Sequence, residues 1–163
     1  MSYTIVDTDL GQVGLVGSSA GLRRVVPPQS SPEVVQRLMR EGMPALTADP
    51  SPFGDLPNRL RRYLRGEPVP FEDQLDLSGR TRFSIAVLQA ARAIPYGHTL
   101  SYSDIAQRVG SPEALRAVGQ VLARNPLPIV IPCHRVIGKG GRPLGTGEGL
   151  KLRRRLLDIE ATA

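Results

Sequence analysis

A chain of 163 residues, 40% of them hydrophobic, is long enough for one sizeable globular core or for two small ones. A single cysteine excludes a disulfide framework and, with only two histidines, a typical zinc site; without a secretory leader or a bilayer-length apolar run, the chain is expected in the cytoplasm. The net charge of +6 lies in the second half, because residues 1–80 carry 9 basic and 10 acidic groups whereas residues 81–163 carry 12 and 5.

Alternating apolar residues near the N-terminus predict a small antiparallel sheet. Its three strands are predicted over residues 3–6, 12–16 and 22–26. A helix is predicted to open at Ser31-Pro32-Glu33, with Val34, Val35 and Leu38 turned inward. A second helix is predicted over residues 57–65.

The segments around these helices carry weaker patterns. Residues 43–54 are rich in proline and small side chains and predict a loop. A short strand is predicted at residues 74–77. The Ser78-Gly79 pair that follows it marks the predicted boundary between two domains.

The second half is predicted to open with an apolar helix over residues 83–94, followed by two short helices. Ser101 with Asp104 three residues later is the capping-box pattern that starts the first of them. Ser111 followed by proline predicts the start of the other, which is expected over residues 113–124. Two helices joined this closely resemble a helix-turn-helix that binds DNA, although many such pairs only pack together.

The second of these helices has an outer face made mostly of small residues. Leu115, Val118 and Leu122 are predicted to share the core face. The solvent side then carries Arg116, Ala117, Gly119 and Gln120. Small side chains allow close backbone approach, which favours contact with the minor groove. The alternative is an exposed helix in which the glycine has no special role.

A thiol and an imidazole stand side by side at the end of an apolar run. Residues 127–131 predict a short buried strand, which Pro132 ends just before Cys133. Near pH 7 an ordinary thiol is mostly protonated, so a nucleophilic Cys133 needs a base, and His134 is the candidate. Neighbouring strand residues point to opposite faces, so this pair must leave strand geometry or act through a water. A buried cysteine beside a surface histidine is the alternative.

Two later segments bear on this pair. Residues 138–149, which we refer to as the glycine loop, hold six glycines and predict a mobile lid, a site of close backbone approach or a plain connector. A last helix over residues 150–160 puts Leu152, Leu156 and Ile159 on one face. Glu160 adjoins that face, which makes it the candidate carboxylate to orient His134.

Several short motifs occur together in the second half. They are Pro95-Tyr96-Gly97, Ser101-Tyr102, Arg116-Ala117-Val118-Gly119, Asn125-Pro126, Ile131-Pro132-Cys133-His134-Arg135-Val136 and Leu156-Leu157-Asp158-Ile159-Glu160. In this order and spacing they closely resemble the 6-O-alkylguanine-DNA alkyltransferases, also called methylated-DNA-protein-cysteine methyltransferases. The resemblance is strong over residues 80–160 and weak in the N-terminal part.

The resemblance implies direct-reversal DNA repair in a single turnover, with no cofactor. Cys133 would take the alkyl group from 6-O-alkylguanine, or from 4-O-alkylthymine, and keep it as a thioether. His134, acting through a water and held by Glu160, would remove the thiol proton. Tyr102 would donate a proton toward guanine N3 as the purine leaves.

The same resemblance assigns residues to contacts with duplex DNA through its minor groove. Arg116 would enter the base stack and fill the space of the flipped nucleotide. Tyr102, Ala117 and Gly119 would lie against the DNA. Ser103 and Ser111, expected at helix starts, would contact phosphate.

The resemblance assigns Asn125, Val136 and Thr146 to the substrate pocket. Asn125 would brace the helix-turn-helix against the Cys133 segment, and the carbonyls of Cys133 and Val136 would accept the exocyclic amine of guanine. The family commonly has tyrosine where this chain has Thr146, and tryptophan near Leu88. We therefore expect methyl transfer to be kept and the tolerance for bulky alkyl groups to be altered.

The predicted fold is mixed α/β (α+β). Residues 1–79 are expected to form an N-terminal scaffold domain with a small antiparallel sheet and helices, and residues 80–163 a mostly helical DNA-binding alkyltransferase domain. The expected partner is double-stranded DNA containing alkylated guanine, bound by a monomer with no metal, no membrane contact and no obligate protein partner. Three other functions stay open, namely a non-catalytic sensor of alkylated bases, a helix-turn-helix regulator and a Cys-His-Glu hydrolase. Sensors of that kind lack the acceptor cysteine, which this chain keeps.

Overall fold

Three long strands near the N-terminus form the antiparallel sheet that the alternating pattern predicts. The computed structural model describes residues 1–43 and 45–162. The strands are β1 (Ser2–Thr8), β2 (Gly11–Ser18) and β3 (Gly21–Gln29), and the two-residue β4 (Thr47–Ala48) pairs in parallel with β1. The strand order is therefore β3-β2-β1-β4.

Helix α1 (Pro32–Arg40) packs on this sheet where β2 carries a glycine. The Ser31 side chain caps the helix by accepting from the Val34 amide. A Cβ atom added to Gly14 would lie 2.7 Å from a Val35 methyl, so glycine is needed for this approach. The fully buried residues of α1 are Val35 and Met39. Val34 and Leu38, which were also predicted to face inward, are only half-buried, so the buried face of α1 is centred on Val35 and Met39. The predicted second helix is α2 (Leu56–Leu64).

Residues 74–77 do not form the predicted strand. Leu75 makes a single parallel bridge with Leu22, and the loop around it is organised by a side chain instead. The buried Asp76 carboxylate accepts from the hydroxyls of Ser18 and Ser78, at 2.5 and 2.6 Å, and pairs with Arg23 at 3.3 Å. Hydrogen bonds from these hydroxyls hold the pKa of Asp76 well below its usual range. Its stabilising contribution is present above the unfolded-state pKa of about 4 and is lost as the pH falls through the folded-state pKa.

The change Asp76→Asn is expected to lower the free energy of unfolding by about 2 kcal/mol at pH 7, because it weakens hydrogen bonds to a buried charge. Urea unfolding followed by circular dichroism measures this loss. Asp9→Asn, which removes an exposed carboxylate paired with Arg65, serves as the control and is expected to leave the midpoint unchanged. Equal midpoints for both variants would contradict the assigned role of Asp76.

The predicted loop at residues 43–54 is not wholly irregular. It contains β4 and a 3₁₀ turn at Ser51–Phe53, which buries Phe53. Pro44 of this loop lies outside the described residues.

Backbone contacts divide the described chain into two units. The first comprises Met1–Ser78 with Pro126–Pro128, and the second comprises Gly79–Asn125 and residues 129–162. The second unit holds α3 (Arg82–Arg92), α4 (Tyr102–Arg108), α5 (Leu115–Ala123) and α6 (Gly147–Ala161). It also holds the short strands β5 (Leu100–Ser101) and β6 (Val136–Ile137), which pair in parallel.

The two helices of the predicted helix-turn-helix differ in how well the sequence marks their starts. The capping box at Ser101 and Asp104 is present in α4. The second helix, α5, begins at Leu115 and not at residue 113, because the Ala114 amide donates to the Ser111 carbonyl and closes a turn there. Val118 and Leu122 are buried as predicted, but Leu115 is 46% exposed. A helical side chain covers the helical turn that precedes it, and Leu115, as the first residue of α5, has no turn of α-helix before it.

Residues 127 and 129–131 are buried and Pro128 is half-buried, but this segment does not form the predicted strand. Ile129 has a φ of 75°, a left-handed conformation that turns the chain. This conformation is an outlier for a β-branched residue. Apolar runs of this length predict burial, and here burial is achieved by a turn.

Candidate functional site

Two successive tight turns present Cys133. Pro132 has φ −79° and ψ 67°, and the Cys133 amide donates to the Ile131 carbonyl at 2.8 Å, which is an inverse γ-turn. Cys133–Arg135 then form a 3₁₀ turn, in which the Arg135 amide donates to the Pro132 carbonyl at 2.9 Å. The chain thus leaves strand geometry between the apolar run and the thiol. Cys133 is 7% exposed, at the edge of the core.

The imidazole of His134 is held by the carboxylate of Glu160. His134 Nε2 lies 2.6 Å from Glu160 Oε2, and both residues are buried. An ionised carboxylate only accepts hydrogen bonds, so this contact assigns the proton to Nε2. The lone pair then resides on Nδ1, and this tautomer is the one that can act as a base. Helix α6 brings Glu160 to this position across 26 residues of sequence.

Two further donors to Glu160 were not among the predicted site residues. Arg135 Nε donates to Glu160 Oε1 at 2.9 Å, while its Nη1 donates to the Ile94 carbonyl at 2.7 Å. The Gly97 amide donates to Glu160 Oε1 at 3.0 Å. These contacts neutralise the buried carboxylate and fix its position. The sequence signal for Arg135 was an arginine in an otherwise apolar segment. The Gly97 amide is a backbone group, and the sequence carries no signal for it.

Burial is the main influence on the protonation of His134. It lowers the pKa of the imidazole, and this effect outweighs the opposing effect of Glu160, while the charges of Arg135 and Arg153 lower the pKa further. The ring is therefore neutral at neutral pH and ready to accept a proton. Because the unfolded chain binds a proton at about pH 6.5 and the folded chain does not, His134 stabilises the fold less as the pH falls below that value.

The imidazole resonance of His134 is expected to titrate with a midpoint below about 6.5, or not at all before acid unfolding. The physical reason is the burial of the ring, which opposes its charged form. Histidine chemical shifts recorded by NMR against pH measure this, and His98→Gln removes the only other histidine signal. A midpoint at or above about 6.5 would contradict the assignment of a neutral buried base.

Tyr102 enters the same site from the first position of α4. It directly follows β5, whose pairing with β6 places Leu100 opposite Val136 and Ser101 opposite Ile137. Burial raises the pKa of the Tyr102 phenol, so the hydroxyl keeps its proton near neutral pH. The parallel strand pair therefore joins the segment of the thiol to the segment of a potential proton donor.

The residues assigned by resemblance to DNA binding lie on or next to α4 and α5. Arg116, in the first turn of α5, is exposed, as is Ser103 in the first turn of α4. Ala117 and Gly119 are half-buried, and a Cβ atom on Gly119 would lie 3.7 Å from the Tyr102 ring. Ser111 is half-buried. It was predicted at the start of a helix, but α5 begins only at Leu115, so this prediction is wrong.

The residues assigned to the substrate pocket differ in their surroundings. Asn125 donates from Nδ2 to the Ile131 carbonyl at 2.9 Å, so it ties the end of α5 to the segment before Cys133. Val136 is fully buried in β6, and its amide donates to the Cys133 carbonyl. Thr146 is exposed and stands at the N-cap position of α6, in the glycine loop.

Residues 1–43 and 45–162 contain no group of three or more histidine, cysteine, aspartate or glutamate side chains placed to hold a metal ion. Over the same residues, no helix has both the length and the apolar content needed to cross a bilayer.

Comparison with known proteins gives a consistent result. The family model described as the 6-O-methylguanine DNA methyltransferase, DNA binding domain, matches residues 82–162. The chain is similar to a methylated-DNA–protein-cysteine methyltransferase of Mycobacterium tuberculosis, with 36% identity covering 97% of this chain and 91% of that protein. It is also similar to the constitutive methyltransferase of the same name from Bacillus subtilis, with 38% identity covering 97% and 94%. A crystal structure of Mycobacterium tuberculosis OGT in complex with DNA has a TM-score of 0.82 at 36% identity, covering 99% of this chain and 94% of that one.

Proposed function

Because this chain belongs to the methylated-DNA–protein-cysteine methyltransferase family, we propose that it repairs DNA by direct reversal and that Cys133 is the acceptor of the alkyl group. The observation that carries the proposal is the buried hydrogen bond of 2.6 Å between His134 and Glu160, one residue from the thiol. A Cys-His-Glu arrangement provides a nucleophile, a base and an orienting carboxylate. The acceptor thiol also separates this chain from a sensor that binds lesions without chemistry.

The transfer step uses the thiol and the neutral imidazole. His134 Nδ1 takes the thiol proton through a water, and Glu160 stabilises the imidazolium that forms. The Cys133 sulfur then attacks the alkyl carbon, so an S–C bond forms while the bond from that carbon to guanine O6 breaks. The electron pair of the broken bond stays on the purine, and the Tyr102 hydroxyl gives a proton toward guanine N3. The product is a thioether, which is a poor leaving group, so each molecule reacts once.

DNA would be bound through α5 and the turns that precede the two short helices. Exposure of Arg116 supports its proposed insertion into the base stack in place of the flipped nucleotide. The small Ala117 and Gly119 would let α5 approach the minor groove closely. Ser103 and Ser111 are proposed phosphate contacts. Arginine provides 19 of the 21 basic residues, and this composition suits bidentate contacts with phosphate.

Residues 80–163 are proposed to carry both DNA binding and chemistry, with residues 1–79 as the scaffold. We propose the cytoplasm as the location, because a reducing compartment keeps the single thiol able to react. In the pocket, Asn125 would fix the Cys133 segment, and the carbonyls of Cys133 and Val136 would accept the exocyclic amine of guanine. The proposed roles of Asn125, Cys133 and Val136 are supported by the family and by the placement of these residues in the second unit.

The test uses the whole chain with duplex DNA containing 6-O-methylguanine. After incubation, the mass of the tryptic peptide that holds Cys133 is measured, with unmethylated duplex as the control. A stoichiometric gain of one methylene, reached once per molecule, supports the proposal. Binding of the methylated duplex without the mass gain would support a sensor, and continued turnover would support a hydrolase; either result would overturn the proposal.

Thr146→Tyr is expected to speed benzyl transfer relative to methyl transfer by several-fold, because an aromatic wall in the glycine loop adds about 1 kcal/mol of stacking with a benzyl group. Single-turnover rates with the methyl and benzyl forms of alkylated guanine measure the ratio. Thr162→Tyr, at the exposed end of α6, is the matched control. Equal rate ratios for the wild type and Thr146→Tyr would contradict the assignment of residue 146 to the pocket wall.

A further inference from the structure

Arg153 connects three segments of the second unit that surround the proposed reaction centre. It projects from α6 and is half-buried. Its Nη1 donates to the Leu144 carbonyl in the glycine loop at 2.5 Å, and its Nη2 donates to the Leu122 carbonyl in the last turn of α5 at 3.2 Å. One guanidinium group thus joins the glycine loop, α5 and α6. A Cβ atom on Gly145 would lie 3.6 Å from Arg153 Nη1, so the loop backbone lies directly against this group.

The same guanidinium acts on the Tyr102 hydroxyl. Burial is the largest influence on the phenol and raises its pKa, whereas the charge and the N–H groups of Arg153 lower it. A guanidinium has donors only, so it approaches the lone pairs of the phenol oxygen and leaves the phenol proton for another acceptor. The Tyr102 ring also lies beside Gly119 of α5, the helix whose end Arg153 holds. Arg153 therefore binds the glycine loop and α5 and also acts on the proposed proton donor.

On the basis of the proposed function, we infer that Arg153 is a positioning residue for alkyl transfer, which fixes the glycine loop against α5 and directs the Tyr102 proton toward the purine. A simple alternative is that Arg153 is a phosphate contact. The two roles differ in what they change. A positioning residue alters the rate of transfer from bound DNA, whereas a phosphate contact alters the affinity for DNA and its salt dependence.

The first test compares Arg153→Met and Arg153→Lys with Arg155→Met, an exposed arginine on the same helix. Single-turnover kinetics with duplex DNA containing 6-O-methylguanine separate the dissociation constant from the transfer rate constant at saturation. We expect Arg153→Met to lower the rate constant by about tenfold to a hundredfold, because misplacing a reacting group by about 1 Å costs this much. Arg153→Lys should recover only part of the rate, since an ammonium group cannot bridge two carbonyls as a guanidinium does. Arg155→Met should leave the rate constant unchanged.

The second test asks whether Arg153 acts through the phenol. In a Tyr102→Phe background, Arg153→Met is expected to lower the transfer rate constant by less than about a third of the factor by which it lowers it in the wild type. The reason is that the effects of coupled groups are not additive in free energy. Amide hydrogen exchange of residues 138–149 in the DNA-free protein provides a readout that needs no activity. We expect faster exchange in Arg153→Met than in Arg155→Met, because the loop loses its attachment to α5.

Three results would overturn the inference about Arg153. The first is an unchanged transfer rate constant in Arg153→Met. The second is a loss of DNA affinity alone, with a smaller dependence of binding on salt. The third is a double variant in which the rate losses of Arg153→Met and Tyr102→Phe multiply in full, together with unchanged hydrogen exchange of the glycine loop. Each of these leaves transfer by the wild type intact. The absence of methyl transfer by the wild type would instead overturn the proposed function itself, so the two failures are distinguishable.

Discussion

Cys133→Ala is expected to abolish alkyl transfer completely while leaving binding of methylated duplex DNA in place. The reason is that the sulfur is the atom that forms the new bond to carbon, and alanine offers no nucleophile. The measurement is the loss of the methyl group from the DNA strand by mass spectrometry, with binding followed by fluorescence anisotropy. Cys133 is buried, but the change to alanine removes only one heavy atom, so it is expected to cost about 1 kcal/mol of stability and the variant should fold.

Retained repair by Cys133→Ala would show that another group accepts the alkyl chain, and would remove the basis of the mechanism. A variant that neither repairs nor binds DNA would be checked for folding by circular dichroism. Cys133→Ser provides the matched control of nearly equal volume. It should also fail to transfer, because a hydroxyl is a much weaker nucleophile than a thiolate at neutral pH.

Glu160→Gln is expected to have the next largest effect, because it disturbs catalysis and folding together. Without the negative charge, the imidazolium of His134 loses its stabilising partner, and the transfer rate should fall by about a hundredfold or more. The buried guanidinium of Arg135 loses the carboxylate that its Nε and Nη2 contact, which should lower the free energy of unfolding by about 3 kcal/mol. Single-turnover kinetics and urea unfolding measure the two effects separately.

Glu148→Gln is the matched control for this change, since it alters an exposed carboxylate in the first turn of the same helix. It is expected to leave both the transfer rate and the unfolding midpoint unchanged. Kinetics are measured at a temperature where Glu160→Gln is folded. A wild-type transfer rate in folded Glu160→Gln would show that the carboxylate is structural and that the base needs no orienting partner.

Local patterns in the sequence predict the elements whose stability is local. The sheet of the first unit follows from alternation, and the starts of α1 and α4 follow from the caps at Ser31 and Ser101. Such a pattern failed at residues 74–77, where the Asp76 carboxylate accepts from Ser18, 58 residues away, and no strand forms. It also failed at Ser111, where a local turn closed by the Ala114 amide replaces the expected start of a helix.

The residues of the candidate site also differ in how well the sequence predicts their contacts. The pairing of Glu160 with His134 could be predicted, because helical periodicity puts the carboxylate next to a buried face. The roles of Arg135 and Arg153 could not, since both side chains bind backbone carbonyls that lie 41 and 31 residues away. Backbone acceptors have no side-chain signature, so no pattern of residue types reveals them.

The left-handed turn at Ile129 has a consequence for peptides taken from this protein. The strain of such a conformation costs about 1–3 kcal/mol. Burying the side chain, which is 2% exposed, offsets it by a comparable amount, since a buried isoleucine contributes about 1.5–3 kcal/mol. A synthetic fragment spanning residues 125–136 would lack that burial and would relax to ordinary extended backbone. The thiol would then lie on a flexible segment and have the reactivity of an ordinary cysteine, because the fragment lacks the conformation that the folded chain imposes.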